Sequence, residues 1–211
     1  MKDLERRFRA CEIRAEEKDG TATITGRPIV FGEKTDLGWF DEVIEPGALD
    51  GTDLTDVRFL VNHDTSMIPL ARSRRNNGNS TMTLAPTHLG LDMAANVDVE
   101  NNATARELKS AIERGDLSGM SFMFSIGDEE WEDLDTDHPT RHIRKISSVV
   151  EVSAVTFPAY DATTINTRSK EALENARLAL EKAEQRNGDS LEKEDIDLDL
   201  AKAKLNFIAK Q

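Results

Sequence analysis

The sequence is poor in the features that mark secreted and membrane-spanning proteins. Its 211 residues include one cysteine, Cys11, so no disulfide can form within the chain. No run of about 18 apolar residues occurs, and the amino-terminal segment MKDLERRFRACE lacks the apolar stretch of a signal peptide. We therefore expect a protein that works in the reducing cytoplasm and does not enter a membrane.

Basic residues are scarce relative to acidic ones. The chain has 27 lysines and arginines against 40 aspartates and glutamates, a formal net charge of −13. Such a charge repels nucleic-acid phosphates and anionic lipids, so neither nucleic acid nor membrane is expected as a partner. Hydrophobic residues make up 38% and aromatic residues 5% of the chain, which predicts one lean core in a single domain with an appendage.

The first part of the chain is interpreted as mainly β with few helices. β-Branched and alternating apolar residues predict strands over residues 21–31, 57–64, 80–97, 121–126, 142–148 and 149–160. One helix is predicted over residues 103–114, with Asn101 or Asn102 as its N-cap and Gly115 beyond its last turn.

From Ser169 onward the pattern is helical. Leu173, Ala176, Leu180 and Ala183 fall at helical spacing, and a second helical piece covers residues 191–209. Two helices with so narrow an apolar stripe cannot form a core alone. We therefore divide the chain into a domain of residues 1–168 and a helical tail of residues 169–211, which docks, pairs with another chain or frays.

Three polar groups stand at positions suited to catalysis. His63 ends an apolar strand, Ser121 follows a Gly-Met turn, and Glu151 is a carboxylate within the apolar run VVEVSAV. Each also has a plain structural explanation, as a polar strand end, a turn residue and a solvated strand face. From the residues alone, either Ser118 or Ser121 could be the reactive hydroxyl.

No metal or cofactor site is predicted. His138 and His142 have the spacing of two ligands on a helix, but Pro139 argues against a helix there. The acidic run DEEWEDLDTD at 128–137 lacks the order of ligands of a calcium loop and is interpreted as a solvated loop.

The order of short motifs carries a resemblance. The chain contains GRPIVFG, FDEVIEPGAL, VNHD, HLGLDM, RGDLSGMSFMF and VVEVSAVTFPAY, in that order, between about residues 10 and 168. This series resembles the prohead proteases of tailed phages, the group typified by phage HK97. The resemblance implies a serine endopeptidase with the fold of the herpesvirus assemblins, a closed β-barrel with flanking helices (α+β).

The resemblance also implies the site and the partners. The family's histidine falls on His63, its serine on Ser121 and its third member on Glu151, with Arg72 as a candidate oxyanion or substrate group and Ser118 as a turn residue. The implied substrate is the phage major capsid protein or scaffold, cleaved by a homo-oligomer inside the immature shell in the host cytoplasm, together with self-cleavage. The alternative is a non-catalytic scaffold or assembly protein whose helical tail binds capsid subunits.

Overall fold

The structure, a computed structural model, describes residues 4–10, 12–74, 79–117, 119–156 and 169–183. Its strands are β1 (Glu5–Ala10), β2 (Arg14–Lys18), β3 (Thr21–Val30), β4 (Lys34–Asp36), β5 (Asp41–Ile44), β6 (Asp56–Val61), β7 (Ala71–Arg74), β8 (Met82–Thr87), β9 (Gly90–Asp98), β10 (Gly119–Glu132) and β11 (Thr140–Val155). Its helices are α1 (Ala103–Glu113) and α2 (residues 169–183). The prediction of a mainly β chain with helices is confirmed.

The strands form two sheets. The larger has seven strands in the order β1-β10-β11-β5-β4, with β6 paired to β11 and β7 paired to β6, and the smaller has the order β2-β3-β9-β8. Single backbone bonds join them, as from Gly32 N–H to the Ile44 carbonyl, but no ladder does so among the described strands. The closed barrel implied by the resemblance is therefore not confirmed, because each sheet keeps its own edges.

One apolar cluster lies between the sheets. Its fully buried members include Ile24 and Val97 of the smaller sheet and Phe59 and Phe124 of the larger one. Burial of each phenylalanine contributes roughly 1.5–3 kcal/mol. The sheets approach each other closely at Gly26, where an added Cβ would lie 2.5 Å from the sulfur of Met120. The core therefore supports β10 at Met120, the residue that precedes Ser121.

Local signals explain several boundaries. The Asn102 side chain accepts a hydrogen bond from Ala105 N–H at 3.2 Å and caps α1, and Gly115 follows the helix with φ of 75°. The β8–β9 turn needs glycine at position 90, where φ is 146° and an added Cβ would lie 1.9 Å from the Ile29 carbonyl oxygen. The predicted helix and the predicted strand pair are thus confirmed.

The β10–β11 hairpin is longer than predicted. Residues 128–132 of the acidic run belong to β10. The strand predicted at 142–148 and the first part of the strand predicted at 149–160 form one continuous strand, β11. The interpretation of residues 128–137 as a loop is therefore wrong for its first half. Cross-strand neighbours explain the difference, because Asp128 lies opposite Lys145 and Glu130 is ion-paired with Arg144.

Helix α2 contacts the loops that follow β4 and β10. Leu173 is buried, Lys170 lies over the Trp39 ring at 5.5 Å, and Arg177 donates to the carbonyls of Leu134 and Thr136. Leu180, predicted to lie on the apolar stripe, is 42% exposed. The second helical piece at 191–209 lies outside the described residues, and the division at residue 168 stays a prediction. Neither described helix is long and apolar enough to span a membrane.

Candidate active site

Strand β11 lies between the two strands that carry the predicted histidine and serine. On one side β10 runs antiparallel to it, with Ser121 opposite Ser153. On the other side β6 runs parallel to it, with Val61 opposite Ala154. Because Glu151 and Ser153 are two residues apart on β11, they share one face of the sheet with Ser121. That face is opposite the main core, in which Phe122 and Val152 are buried.

Ser121 is the third residue of β10 and is completely buried. Its neighbours Met120 and Phe122 point into the core and hold the strand in place. The hydroxyl therefore projects from a rigid strand rather than from a flexible turn. Ser118, the other candidate, lies outside the described residues.

His63 is held in a strained backbone conformation just beyond β6. Asn62 and His63 have φ of 51° and 58°, in the left-handed region that residues with a Cβ seldom adopt. Three hydrogen bonds fix this turn: Asn62 N–H to the Ala154 carbonyl at 2.9 Å, His63 N–H to Ser153 Oγ at 3.1 Å, and Asp64 N–H to the Val61 carbonyl at 3.1 Å. The turn directs the imidazole back over β11.

The three predicted side chains meet in one hydrogen-bonded chain. His63 Nδ1 lies 2.7 Å from Glu151 Oε2, and His63 Nε2 lies 2.6 Å from Ser121 Oγ. The side chains of His63 and Glu151 are 8% and 4% exposed, so water screens their interaction little. Asp64, which follows His63 in the VNHD motif, instead accepts bonds from Ser66, whose hydroxyl lowers the pKa of Asp64.

Ser153 supports this chain and was not predicted as a site residue. Its hydroxyl donates to Glu151 Oε1 and accepts the bond from His63 N–H. One buried hydroxyl thus fixes both the carboxylate and the backbone of the histidine. The signal in the sequence was the alternation of the EVS segment, which places residues 151 and 153 on one face.

A backbone carbonyl of β1 completes the surroundings of Ser121. The Ser121 hydroxyl donates to the Arg7 carbonyl oxygen at 2.7 Å. This contact arises because β1 pairs with β10 in a register that places Phe8 opposite Ser121. It was not predicted, because the amino-terminal segment shows no alternating apolar pattern.

Arg72 lies on the same face but has another partner. It is opposite Arg58 on β6, which is itself opposite Glu151, so two strand spacings, roughly 10 Å, separate the backbones of Arg72 and Glu151. Its guanidinium donates to both carboxylate oxygens of Asp56 at 2.5 Å, and these bonds lower the pKa of Asp56. Within the described ranges, no hydrogen bond joins Arg72 to Ser121, His63 or Glu151.

The other histidines considered as ligands lie apart from this chain. His142 contacts Glu45 at 2.6 Å and Glu132 at 3.2 Å. His138 contacts Asp41 at 3.2 Å. These two residues and Asp36 form the one group in the described part of the chain whose spacing suits a metal ion. It is an exposed cluster of acidic groups, which is common at protein surfaces without an ion.

A groove lies in another part of the described structure. It has a volume of about 690 Å³ and is lined mainly by residues of the smaller sheet, among them Thr25, Arg27 and Asp92. None of its lining residues belongs to the Ser121–His63–Glu151 chain, so this groove and the candidate catalytic residues do not coincide.

Comparison with known proteins identifies the family. The caudovirus prohead serine proteases match residues 9–177, most of the chain. The chain belongs to this family. No curated protein and no solved structure matches it, so the implied relationship to herpesvirus assemblins stays a prediction. Membership supports a role as a serine protease in the maturation of the phage head.

Proposed function

We propose that this prohead serine protease cleaves peptide bonds with Ser121 as nucleophile, His63 as general base and Glu151 as the group that orients His63. The observation that carries the proposal is the continuous chain from Ser121 Oγ through both ring nitrogens of His63 to Glu151, with contacts of 2.6 and 2.7 Å. Nucleophile, base and orienting group within hydrogen-bond reach are the geometry that hydroxyl activation requires.

The first step forms an acyl-enzyme. Once the Ser121 hydroxyl turns from the Arg7 carbonyl to His63, neutral His63, with its Nδ1–H donated to Glu151, presents the lone pair of Nε2 to that hydroxyl. Nε2 takes the hydroxyl proton while Oγ bonds to the carbonyl carbon of the substrate. As the tetrahedral intermediate collapses, His63 returns the proton to the departing amine, and the peptide C–N bond breaks.

The second step releases the acyl group. Water takes the place of the amine, His63 removes a proton from it, and its oxygen bonds to the acyl carbon. Breakdown of the second intermediate returns the proton to Ser121 Oγ. Glu151 stabilises the imidazolium that forms in both steps, and Ser153 holds Glu151 in place.

Donors for the oxyanion are the remaining requirement of this mechanism. Such a donor contributes roughly 3–4 kcal/mol to lowering the barrier. Arg72 stays our candidate because it shares the face of Ser121 and Glu151. To act, its guanidinium must leave Asp56 when substrate binds.

The substrate class follows from the family. We propose that the enzyme cleaves the major capsid protein or the scaffold inside the assembling prohead, in the host cytoplasm, as a homo-oligomer. We further propose that it cleaves itself between the domain and the helical tail. The acidic chain, with a net charge of −13, suits basic or neutral protein substrates better than nucleic acid.

Co-expression with the phage capsid precursor tests this proposal. The wild-type chain is expected to shorten the precursor, whereas Ser121→Ala and His63→Ala leave it intact. Ser125→Ala is the matched control, because Ser125 is also a buried serine of β10, and the hydrogen bonds of His63 in the described structure go to Ser121, Glu151 and Ser153 instead. Mass spectrometry of the enzyme itself tests self-cleavage, which Ser121→Ala should abolish.

The alternative, a non-catalytic assembly protein, predicts a different result. In that case Ser121→Ala would support head assembly as well as the wild type, and deletion of residues 169–211 would abolish assembly. Processing of the precursor by the Ser121→Ala variant would contradict our assignment.

A further inference from the structure

Strand β1 occupies the edge to which an extended peptide would bind. It is the end of the larger sheet and pairs antiparallel with β10 from Glu5 opposite Phe124 to Ala10 opposite Gly119. Without β1, the backbone of β10 beside Ser121 would be an open edge. Open edges bind extended peptides as an added strand, with main-chain bonds for affinity and side-chain pockets for specificity.

The residue of β1 that reaches the nucleophile is Arg7. Its carbonyl oxygen accepts the hydroxyl hydrogen of Ser121 at 2.7 Å. Since a hydroxyl has one hydrogen, donation to Arg7 leaves none for His63 Nε2. The carbonyl oxygen, rather than its carbon, faces Oγ, so the contact blocks the nucleophile without reacting. Arg7 thus occupies the place of the residue whose carbonyl is attacked.

The side chain of Arg7 lies in a pocket formed around Glu42. Arg7 Nε and Nη2 donate to the two oxygens of Glu42 at 2.5 and 2.6 Å, and the guanidinium lies 5.6 Å from the centre of the Phe124 ring. The Glu42 side chain is 3% exposed and that of Arg7 is 12% exposed. A planar guanidinium bound at both ends of a buried carboxylate is a specific fit.

The pocket around Glu42 would still favour a positively charged side chain if β1 were absent. The charged side chains that then remain around the pocket include Glu33, Glu42, Glu129 and Arg141, three carboxylates against one guanidinium. Arg141 bonds Glu129 at 2.9 Å but Glu42 only at 3.4 Å. Glu42 would therefore keep only one long bond, to Arg141, so an arginine or lysine side chain that enters the pocket supplies the missing partner of this carboxylate.

We propose that Glu42 determines the specificity of the protease: the edge of β10 binds an extended segment of the substrate, the arginine or lysine side chain of that segment enters the Glu42 pocket, and the bond after this residue is cleaved. This inference rests on the proposed function. In the free enzyme, β1 holds the same place and closes the site. Four of the six residues of β1, Glu5–Phe8, precede the segment that the family matches.

Release of β1 and a series of peptides test the proposal on the full chain. Arg7→Glu places a carboxylate against Glu42 and should free the edge, so a fluorophosphonate should label Ser121 at least tenfold faster than in the wild type. Four fluorogenic peptides then differ only in Arg, Lys, Gln or Glu before the scissile bond. The Arg7→Glu chain should cleave the Arg and Lys peptides at least tenfold faster than the Gln and Glu peptides.

The matched variants separate the pocket from general effects. Arg6→Glu makes the same charge change on the exposed neighbour of Arg7 and should label as slowly as the wild type. Adding Glu42→Gln to Arg7→Glu should reduce the preference for Arg over Gln to about one. Circular dichroism checks folding, and Arg7→Gln, which removes the charge without reversing it, replaces Arg7→Glu if that chain does not fold.

Three kinds of result would overturn all or part of the inference. If Ser121 is labelled but all four peptides are cleaved equally, the Glu42 pocket is refuted and the proposed function stands. The same holds if the wild type and the Arg7 variants are labelled equally. If no variant is labelled and none cleaves a peptide, both the Glu42 pocket and the proposed function are refuted. Loss of residues 1–7 from the wild type but not from Ser121→Ala would show that β1 is cut rather than blocking.

Discussion

The backbone N–H of His63 donates a hydrogen bond to the hydroxyl of Ser153 at 3.1 Å. The same hydroxyl donates to Glu151, so the base and the group that orients it are attached to one buried serine. Ser153 therefore acts through the positions of the other two residues.

Substitution of Ser153 should reduce catalysis without reducing substrate binding. Ser153→Ala removes a hydrogen bond to a charged group, roughly 1.5–3 kcal/mol, so kcat should fall about tenfold to a hundredfold with KM unchanged. Peptide hydrolysis measured over a range of substrate concentrations separates the two constants. Ser147→Ala, which removes a bond to the Ser125 carbonyl elsewhere on β11, is the control and should leave kcat as it is. A larger change in KM than in kcat would contradict the role of Ser153.

The strained turn before the histidine should depend on asparagine at position 62. Its left-handed conformation costs most non-glycine residues roughly 1–2 kcal/mol, and its side-chain oxygen accepts bonds from Thr156 N–H at 3.0 Å and Thr156 Oγ at 3.2 Å. Asn62→Gly loses only the two bonds, whereas Asn62→Ala loses the bonds and is strained. Denaturant unfolding should rank stability as Asn, then Gly, then Ala. An alanine variant at least as stable as the glycine variant would count against the strain.

Attachment of β1 should weaken in acid through Glu5. Burial on its own raises the pKa of Glu5, but the charges of Arg7 and Arg141 outweigh it and hold the pKa below the ordinary value of 4.5. The stability that ionised Glu5 contributes is therefore fully present above pH 4.5 and is lost as pH falls through the lower pKa of the folded state.

Unfolding of a Glu5→Gln variant at two pH values measures this contribution. At pH about 7 the variant should be less stable than the wild type by roughly 1–3 kcal/mol, and near pH 2 the difference should vanish. Glu12→Gln is the control, because Glu12 is 70% exposed in its ion pair with Arg14 and should change stability by less than about 1 kcal/mol at both pH values. A difference for Glu5→Gln that persists undiminished in acid would contradict the sign.

Some elements could be predicted because their determinants are local. Helix α1 shows an asparagine cap, an apolar spacing of three to four residues and a glycine after its end, all within one segment. The β10–β11 hairpin was underestimated because the residues that keep its acidic strand extended, such as Arg141 and Lys145, lie on the partner strand. A single segment does not reveal its partner's charges.

The site shows the same division. Short motifs drew attention to Ser121, His63 and Glu151, but their meeting depends on registers between strands 58 and 88 residues apart. Ser153 was missed because its hydroxyl contacts the backbone of His63, which lies far away in the sequence, and Arg7 was missed because it acts through its backbone carbonyl, which the identity of a residue does not display. The charged amino-terminal segment could not be predicted as a strand, since the edge of β10 and the Glu42 pocket hold it in place.

A double variant tests the central claim most directly. If Ser121 and His63 act as one unit, Ser121→Ala and His63→Ala should each lower the rate of capsid-precursor cleavage on the order of 10⁶-fold, and the double variant should be no slower than either. Losses that multiply in the double variant, or cleavage at the wild-type rate by the Ser121→Ala enzyme, would contradict the account.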